Sequence, residues 1–337
     1  MRRRRAGDRP PAAGRRTGMQ GATVRAGVPP DRGARRTVLL LSLVLVAATV
    51  AAYSNSLSGA FVLDDRDTIL NDPHLGKFDS FRAVLLGVRG GPTGGRPLAS
   101  LSFHLNALIA GRTPTGYHLV NLAIHALAGL ALFGCLRRIL AGRAGGGAGA
   151  PFAVSLLWVL HPLQTEAVTY ISQRAESLMG LFLLLAFYAA LRGFDSARPE
   201  PWFRLAALAS LMSVLAKEVG VVAPVLIFLY DGLFVSGTPR SAWRRHRGLY
   251  AGLALTWAAA GLLQLTSPRG YSVSLTSAAL SPLGYLRRQL VGILVYLKLV
   301  VWPSPLVFDY GYPPPAPGVG ATVAGAAALA CLAAASV

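Results

Sequence analysis

Apolar runs of membrane-crossing length alternate along this chain with tight clusters of arginine, and that alternation leaves few folds open. The runs lie at 38–53, 117–140, 144–191, 205–239, 249–266, 283–302 and 319–337. In lipid every backbone N–H and C=O must find its partner inside the protein, so repeated apolar runs without strand-like alternation fold as helices. Hydrophobic residues make up 53% of the 337 and charged residues only 14%. No soluble domain needs so much apolar surface. A net charge of +19 would elsewhere suggest nucleic acid. Here the arginines fall between apolar runs, as cytoplasmic loops do, so the implied partner is the lipid bilayer and not nucleic acid.

Residues 1–37 carry Arg2 to Arg5, Arg9, Arg15, Arg16, Arg25, Arg32, Arg35 and Arg36 against only Asp8 and Asp31. This segment reads as a disordered cytoplasmic tail lying on anionic headgroups. The run over 38–58 reads as an uncleaved anchor. Further basic clusters stand at Arg137/Arg138/Arg143, Arg192/Arg198/Arg204 and Arg240/Arg244/Arg245/Arg247. If each is cytoplasmic, 144–191 and 205–239 are hairpins with tips on the outer face, and 58–116 is a long first outer loop. Within that loop, Leu98, Leu101, Leu105 and Leu108 have the period of a helix lying in the interface. The run 249–266 leads outward to a loop holding Arg269 and Tyr271. The run 283–302 has the length of a span, but Arg287 and Arg288 at its outer end leave a re-entrant or interfacial helix as the alternative. The stretch 303–318, with Phe308-Asp309-Tyr310-Gly311-Tyr312, is not assigned a side. The expected architecture is an all-α polytopic bundle of about eight or nine spans, N-terminus cytoplasmic, with residues 38–337 forming one transmembrane domain. The chain stops inside an Ala-rich apolar segment, which suggests a longer protein. Cys135 and Cys331 both lie in apolar runs and define no disulfide.

Ionisable groups collect on the outer side of this scheme. Of the 14 acidic residues, Asp64, Asp65, Asp67, Asp72 and Asp79 fall in the first outer loop. The first hairpin tip holds His161-Pro162, Glu166, Tyr170, Gln173, Arg174 and Glu176, and the second holds Lys217-Glu218. Charges at that depth are costly and mark substrate paths more often than they decorate a surface. Paired carboxylates just beyond a span, as in Phe61-Val62-Leu63-Asp64-Asp65, can take a proton from an acceptor hydroxyl or contribute to a divalent-metal site. Two adjacent acids do not specify a metal, and no His or Cys pair has zinc spacing. Pro162 is expected to kink the outgoing helix, and Glu166 and Gln173 to share a helical face. His118, Asn121 and His125 form one polar stripe on the second span, read first as helix–helix hydrogen bonding and second as a cavity wall.

Phe61-Val62-Leu63-Asp64-Asp65 with Asn71, Arg96-Pro97-Leu98, Tyr117-His118-Leu119-Val120-Asn121 and His125 follow one another as a set. His161-Pro162 through Thr165-Glu166-Ala167-Val168, Gln173-Arg174-Ala175-Glu176 and Ala216-Lys217-Glu218 complete it. In this order the motifs resemble the transmembrane half of the transmembrane and tetratricopeptide-repeat-containing proteins and their bacterial relatives, over most of residues 38–318. That family resembles the GT-C glycosyltransferases, and its eukaryotic members are linked to protein O-mannosylation. The resemblance implies a bacterial inner-membrane enzyme moving a sugar from a polyprenyl-phosphate donor to a protein or glycan hydroxyl on the outer face. It also implies helical repeats beyond Val337.

On that resemblance Asp64 is the base, and Asp65 orients a neighbour or binds a sugar hydroxyl. Lys217, Arg174 and Arg96 are the cations for the donor phosphate, while His161, Glu166 and Glu218 line or support the cavity. Lys217 and Glu218 project about 100° apart and so are not expected to pair with each other; Arg174 or another outer cation is the alternative partner for Glu218. A flippase for a lipid-linked anion and a silent membrane anchor for a repeat scaffold are the competing classes.

Overall fold

The computed structural model describes residues 32–77, 93–141, 147–266, 281–309 and 317–335. The arginine tail up to residue 31, Asp79, Arg143, the Arg269–Tyr271 loop and Tyr310 to Tyr312 lie outside the described residues. Among the described residues all regular structure is helical. The protein is an all-helical, polytopic membrane protein.

Helix α1 (Arg32–Tyr53) includes Arg35 and Arg36, which composition alone assigns to the tail. A short 3₁₀ turn (Ser54–Ser58) and a π turn (Arg66–Leu70) flank the acidic motif. Helices α2 (Pro97–Ala110) and α3 (Pro114–Ile139) follow. Next come α4 (Gly149–Val159), α5 (Gln164–Thr169) and, after a 3₁₀ turn at Ile171–Gln173, α6 (Arg174–Phe194). Helix α7 (Glu200–Ala216) leads through a 3₁₀ turn (Glu218–Val222) into α8 (Ala223–Tyr230), and a π turn (Asp231–Val235) ends it. Helices α9 (Pro239–Arg245), α10 (Arg247–Thr266), α11 (Pro282–Val301) and α12 (Val319–Ala335) complete the order.

Four described segments are long and apolar enough to cross a bilayer: Arg32–Ser58, Pro114–Ile139, Ile171–Phe194 and Glu218–Val235. Several of the expected crossings are shorter helices. The 11 residues of α4 rise only about 16 Å, half a bilayer core. The long tip after it, from Leu160 to Gln173, takes the rest of that hairpin arm. Pro162 lies in the turn between α4 and α5, so it terminates a helix where the sequence suggests a kink.

Small residues bring the helices together, as in membrane interiors where lipid offers apolar surface as good as leucine. Ala186, Ala189 and Ala190 of α6, Phe203, Ala206 and Ala209 of α7, and Leu249, Tyr250 and Leu253 of α10 form one core. A Cβ on Gly129 would come within 2.4 Å of Val159 Cγ1, which fixes how closely α3 and α4 approach. The pair α11 and α12 packs on itself. It touches the bundle where Val300 O accepts from His161 Nε2 at 3.0 Å.

Helix α2 forms where the leucine period places it, with the opposite face inward. Ala99, Ser100, Phe103, His104 and Asn106 are buried, whereas Leu105, Leu108 and Ile109 are exposed. Leu98 still packs on the core, so only the later part of the leucine stripe turns outward.

Candidate functional site

The acidic motif sits on a turn with one strained residue. Leu63 has φ +41°, the only positive φ at a non-glycine among the described residues. A branched residue there costs about 1–2 kcal/mol and persists only where its surroundings impose it. The imposing contacts are visible. Asp65, 1% exposed, accepts from Val62 N–H at 3.1 Å through Oδ2, and from Ser172 N–H at 2.8 Å and Ser172 Oγ at 2.6 Å through Oδ1. Oδ1 therefore ties the turn onto the first hairpin tip, and Oδ2 closes the turn on itself. The consequence falls on its neighbour. Asp64 is exposed, and its backbone N–H donates to the Tyr170 hydroxyl at 3.1 Å.

Tyr170 is in extended backbone, φ −83° and ψ 111°, between α5 and the 3₁₀ turn. The break swings its phenol under the acidic turn. Burial pushes the hydroxyl up to about 12, with the nearby Asp64 and Asp65 carboxylates adding to the rise, so it stays protonated. Phe308 packs edge-on against the Tyr170 ring at 5.3 Å, which puts the unassigned stretch after α11 at this same end. Glu166 and Gln173 do not share one helix, yet Gln173 Nε2 donates to Glu166 Oε1 at 3.0 Å across the break.

Arg174, two residues beyond Ser172, is fully buried. Its Nε donates to Asn121 Oδ1 at 2.7 Å, Nη2 to Asn106 Oδ1 and Tyr117 O at 2.9 Å each, and Nη1 to Ser102 O at 3.3 Å. The guanidinium stacks over Phe103 at 4.4 Å. It joins α2, α3 and α6 and presents no face to a ligand. Asn121 also donates to Val168 O and Ile171 O, and His125 reaches Val159 O at 3.0 Å. The polar stripe of α3 is thus helix–helix bonding at two of its three residues. His118 differs: neither ring nitrogen has a partner by geometry among the described residues.

Lys217 and Glu218 indeed turn to different partners. Lys217, at the C-terminal end of α7, pairs with Glu176 in the first turn of α6. Glu218 takes Arg96 through two contacts of 3.3 Å, Nε to Oε2 and Nη2 to Oε1, so its partner is Arg96 and not Arg174. Arg96 stands at the N-cap position of α2, and its side chain makes no capping bond there. All four side chains are half-buried, between 18% and 40% exposed. Glu176 follows Ser172 by about one helical turn, or 6–8 Å of rise, so both ion pairs lie at the Asp64 end of the bundle. His161 accepts from Leu163 N–H at 3.2 Å through Nδ1 and donates through Nε2 to Val300 O, a neutral imidazole holding α11. Among the described residues no three His, Cys, Asp or Glu side chains gather as metal ligands.

The opposite end contains a cluster that sequence reasoning missed. Asp231 is fully buried and accepts from Ser236 Oγ at 2.7 Å, His246 Nδ1 at 2.6 Å and Tyr250 OH at 2.5 Å. An aspartate closing an apolar run with no cation within one helical turn was its only signal.

Over 206 residues the chain is 35% identical to protein O-mannosyl-transferase TMTC2 of Homo sapiens, covering 57% of this chain and 24% of that protein. It is 31% identical over 207 residues to TMTC1 of Homo sapiens, covering 56% and 23%. With Tmtc1 of Drosophila melanogaster it shares 33% over 204 residues, covering 58% and 23%. No family model and no solved structure matches. The chain spans about a quarter of the length of these curated relatives. Over somewhat more than half of its own length, the chain is similar to these protein O-mannosyl-transferases.

Proposed function

We propose that this chain is the membrane part of a glycosyltransferase that moves a sugar, with mannose the first candidate, from a polyprenyl-phosphate donor to a protein hydroxyl at the outer face of a bacterial inner membrane. The observation that carries this reading is the exposed Asp64 carboxylate, held out on a strained turn by the buried Asp65, at the same end as two half-buried cations. The homologues' names supply the reaction class.

Asp64 is the base. The acceptor oxygen attacks the sugar's anomeric carbon, and the bond from that carbon to the phosphate oxygen breaks with its electron pair leaving on the phosphate. The acceptor proton passes to Asp64. Asp65 acts through its neighbour by fixing the turn. Lys217 and Arg96 offset the charge that grows on the departing phosphate. Each is resting against a glutamate, which keeps a cation at this depth until an anion arrives. Arg174 builds the wall behind them, and His161 and Glu166 hold the tips. No step is assigned to a metal.

Purified protein incubated with a panel of polyprenyl-phosphate sugars and a Ser/Thr-rich acceptor peptide should transfer one of them, and Asp64→Asn should retain donor binding with turnover lowered by about 10² or more. Transport of the donor without transfer would point to a flippase. A full-activity Asp64→Asn variant would remove the acidic turn from the chemistry. A cysteine placed at position 77 should be labelled from outside intact cells and one at 143 spared; the reverse would overturn the outer-face assignment.

A further inference from the structure

We propose that the apolar groove between α3, α6 and α8 takes an acyl chain of an anionic glycerophospholipid, whose phosphate rests on the arginines of α9. The groove holds about 380 Å³, within the range of a small-ligand site. It runs from Leu132 to Ile139 on α3, with Leu183 and Phe187 of α6 and Leu229 and Leu233 of the α8 segment as its other walls. No charged side chain lines it. All three walls belong to segments long and apolar enough to cross a bilayer, and Leu229 and Leu233 are exposed, so the groove opens onto hydrocarbon. By helical rise Leu132 stands about 16 Å and Ile139 about 27 Å along α3 from Asn121. The groove therefore occupies the leaflet opposite the Asp64 end.

Its width selects the occupant. From Leu132 to Ile139 the helix rises about 10 Å, which leaves the volume a mean cross-section of roughly 35–40 Å². A helix with its side chains is about 10–12 Å across and needs at least twice that area. The space admits a hydrocarbon chain and not a span of a second copy.

Charge supplies the second half of the match. A Cβ on Gly232 would lie 3.3 Å from Pro239 Cα. Leu233 follows Gly232 and Arg240 follows Pro239, so one close contact sets this arginine beside the groove wall. Arg240, Arg244, Arg245 and Arg247 are exposed and make no ion pair among the described residues. Arg96, Arg138 and Lys217, by contrast, each hold a carboxylate. Among these four arginines Trp243 is exposed and stacks on Tyr250 at 5.7 Å, an indole of the kind that sits at headgroup depth. Cations without acids, next to an uncharged slot in the bilayer, match a lipid with an anionic head and an apolar tail.

The experiment adds equal amounts of phosphatidylglycerol and phosphatidylcholine, with identical acyl chains, to the purified full chain in detergent. Native mass spectrometry then counts the lipids retained. Wild type should keep one phosphatidylglycerol in about tenfold preference or more. Arg240→Gln with Arg244→Gln should remove most of that preference, on the scale of about fivefold for each arginine. Leu229→Trp fills the groove from a half-exposed wall position and should lower phosphatidylglycerol retention severalfold at an unchanged melting temperature. Leu233→Trp, on the same wall, takes its place should Leu229→Trp unfold. Equal retention of the two lipids by wild type overturns the proposal, as does retention that survives filling the groove. Displacement of phosphatidylglycerol by an equal amount of polyprenyl phosphate would assign the groove to the donor and also overturn it. The readout needs no sugar transfer, so selective retention by a chain that transfers nothing upholds this site while the glycosyltransferase reading fails.

Discussion

Two buried aspartates, one near each end of the bundle, solve the same problem differently. Asp65 and Asp231 are 1% and 0% exposed, and each accepts three hydrogen bonds. Around Asp231 every donor is a side chain from packed elements, with His246 set between Phe194 and Phe203, and no carboxylate points outward. Around Asp65 two of the three donors are backbone N–H groups or belong to loops, one neighbour is strained, and the next acid is exposed. A closed polar knot stabilises a helix junction. An open one spends part of its hydrogen bonding on presenting a neighbour.

The comparison is sharpest for stability. Asp231→Ala leaves one buried and two part-buried donors without that partner and should cost about 3–5 kcal/mol, read as a large drop in the detergent melting temperature. Activity per folded molecule should be retained; selective loss of turnover would show that the Asp231 end is not purely structural. Asp64→Asn should do the opposite, lowering turnover by about 10² or more with the melting temperature unchanged. A destabilised Asp64→Asn protein would mean that the turn, like the Asp231 knot, is closed. Glu176→Gln leaves Lys217 facing a neutral amide. Donor affinity should rise by a few-fold, consistent with the modest worth of a partly exposed ion pair. A weaker-binding variant would assign Glu176 to the donor itself. Leu63→Gly is expected to have the smallest effect. Relief of the left-handed backbone and the greater freedom of the unfolded glycine nearly cancel, leaving stability within about 1 kcal/mol of wild type. A large loss would show that the Leu63 side chain, not its backbone, holds the turn.

The helical class and the positions of α1, α3 and α6 were legible because membrane spans obey a local rule of length and apolarity, marked off by arginine. That an acidic turn follows the first span was legible from the sequence. Which acid would be buried was not, because that depends on Ser172 and Tyr170, more than a hundred residues away. Arg174 looked like a ligand for phosphate because a charge at membrane depth needs an anion or several oxygens. Its four acceptors come from Asn121, Asn106, Tyr117 and Ser102 on two other helices, a supply that only tertiary packing reveals. The leucine stripe of α2 gave the helix correctly, but periodicity alone does not say whether protein or lipid lies on the apolar side.

The burial of Arg174 also dictates an order of assembly. Every group that receives its guanidinium lies earlier in the chain, on α2 and α3. A chain made from its N-terminus delivers the acceptors to the bilayer before the cation that needs them. Arg174 therefore enters lipid with its partners already in place, and the cost of carrying a bare charge into hydrocarbon is avoided by synthesis order as well as by the final fold.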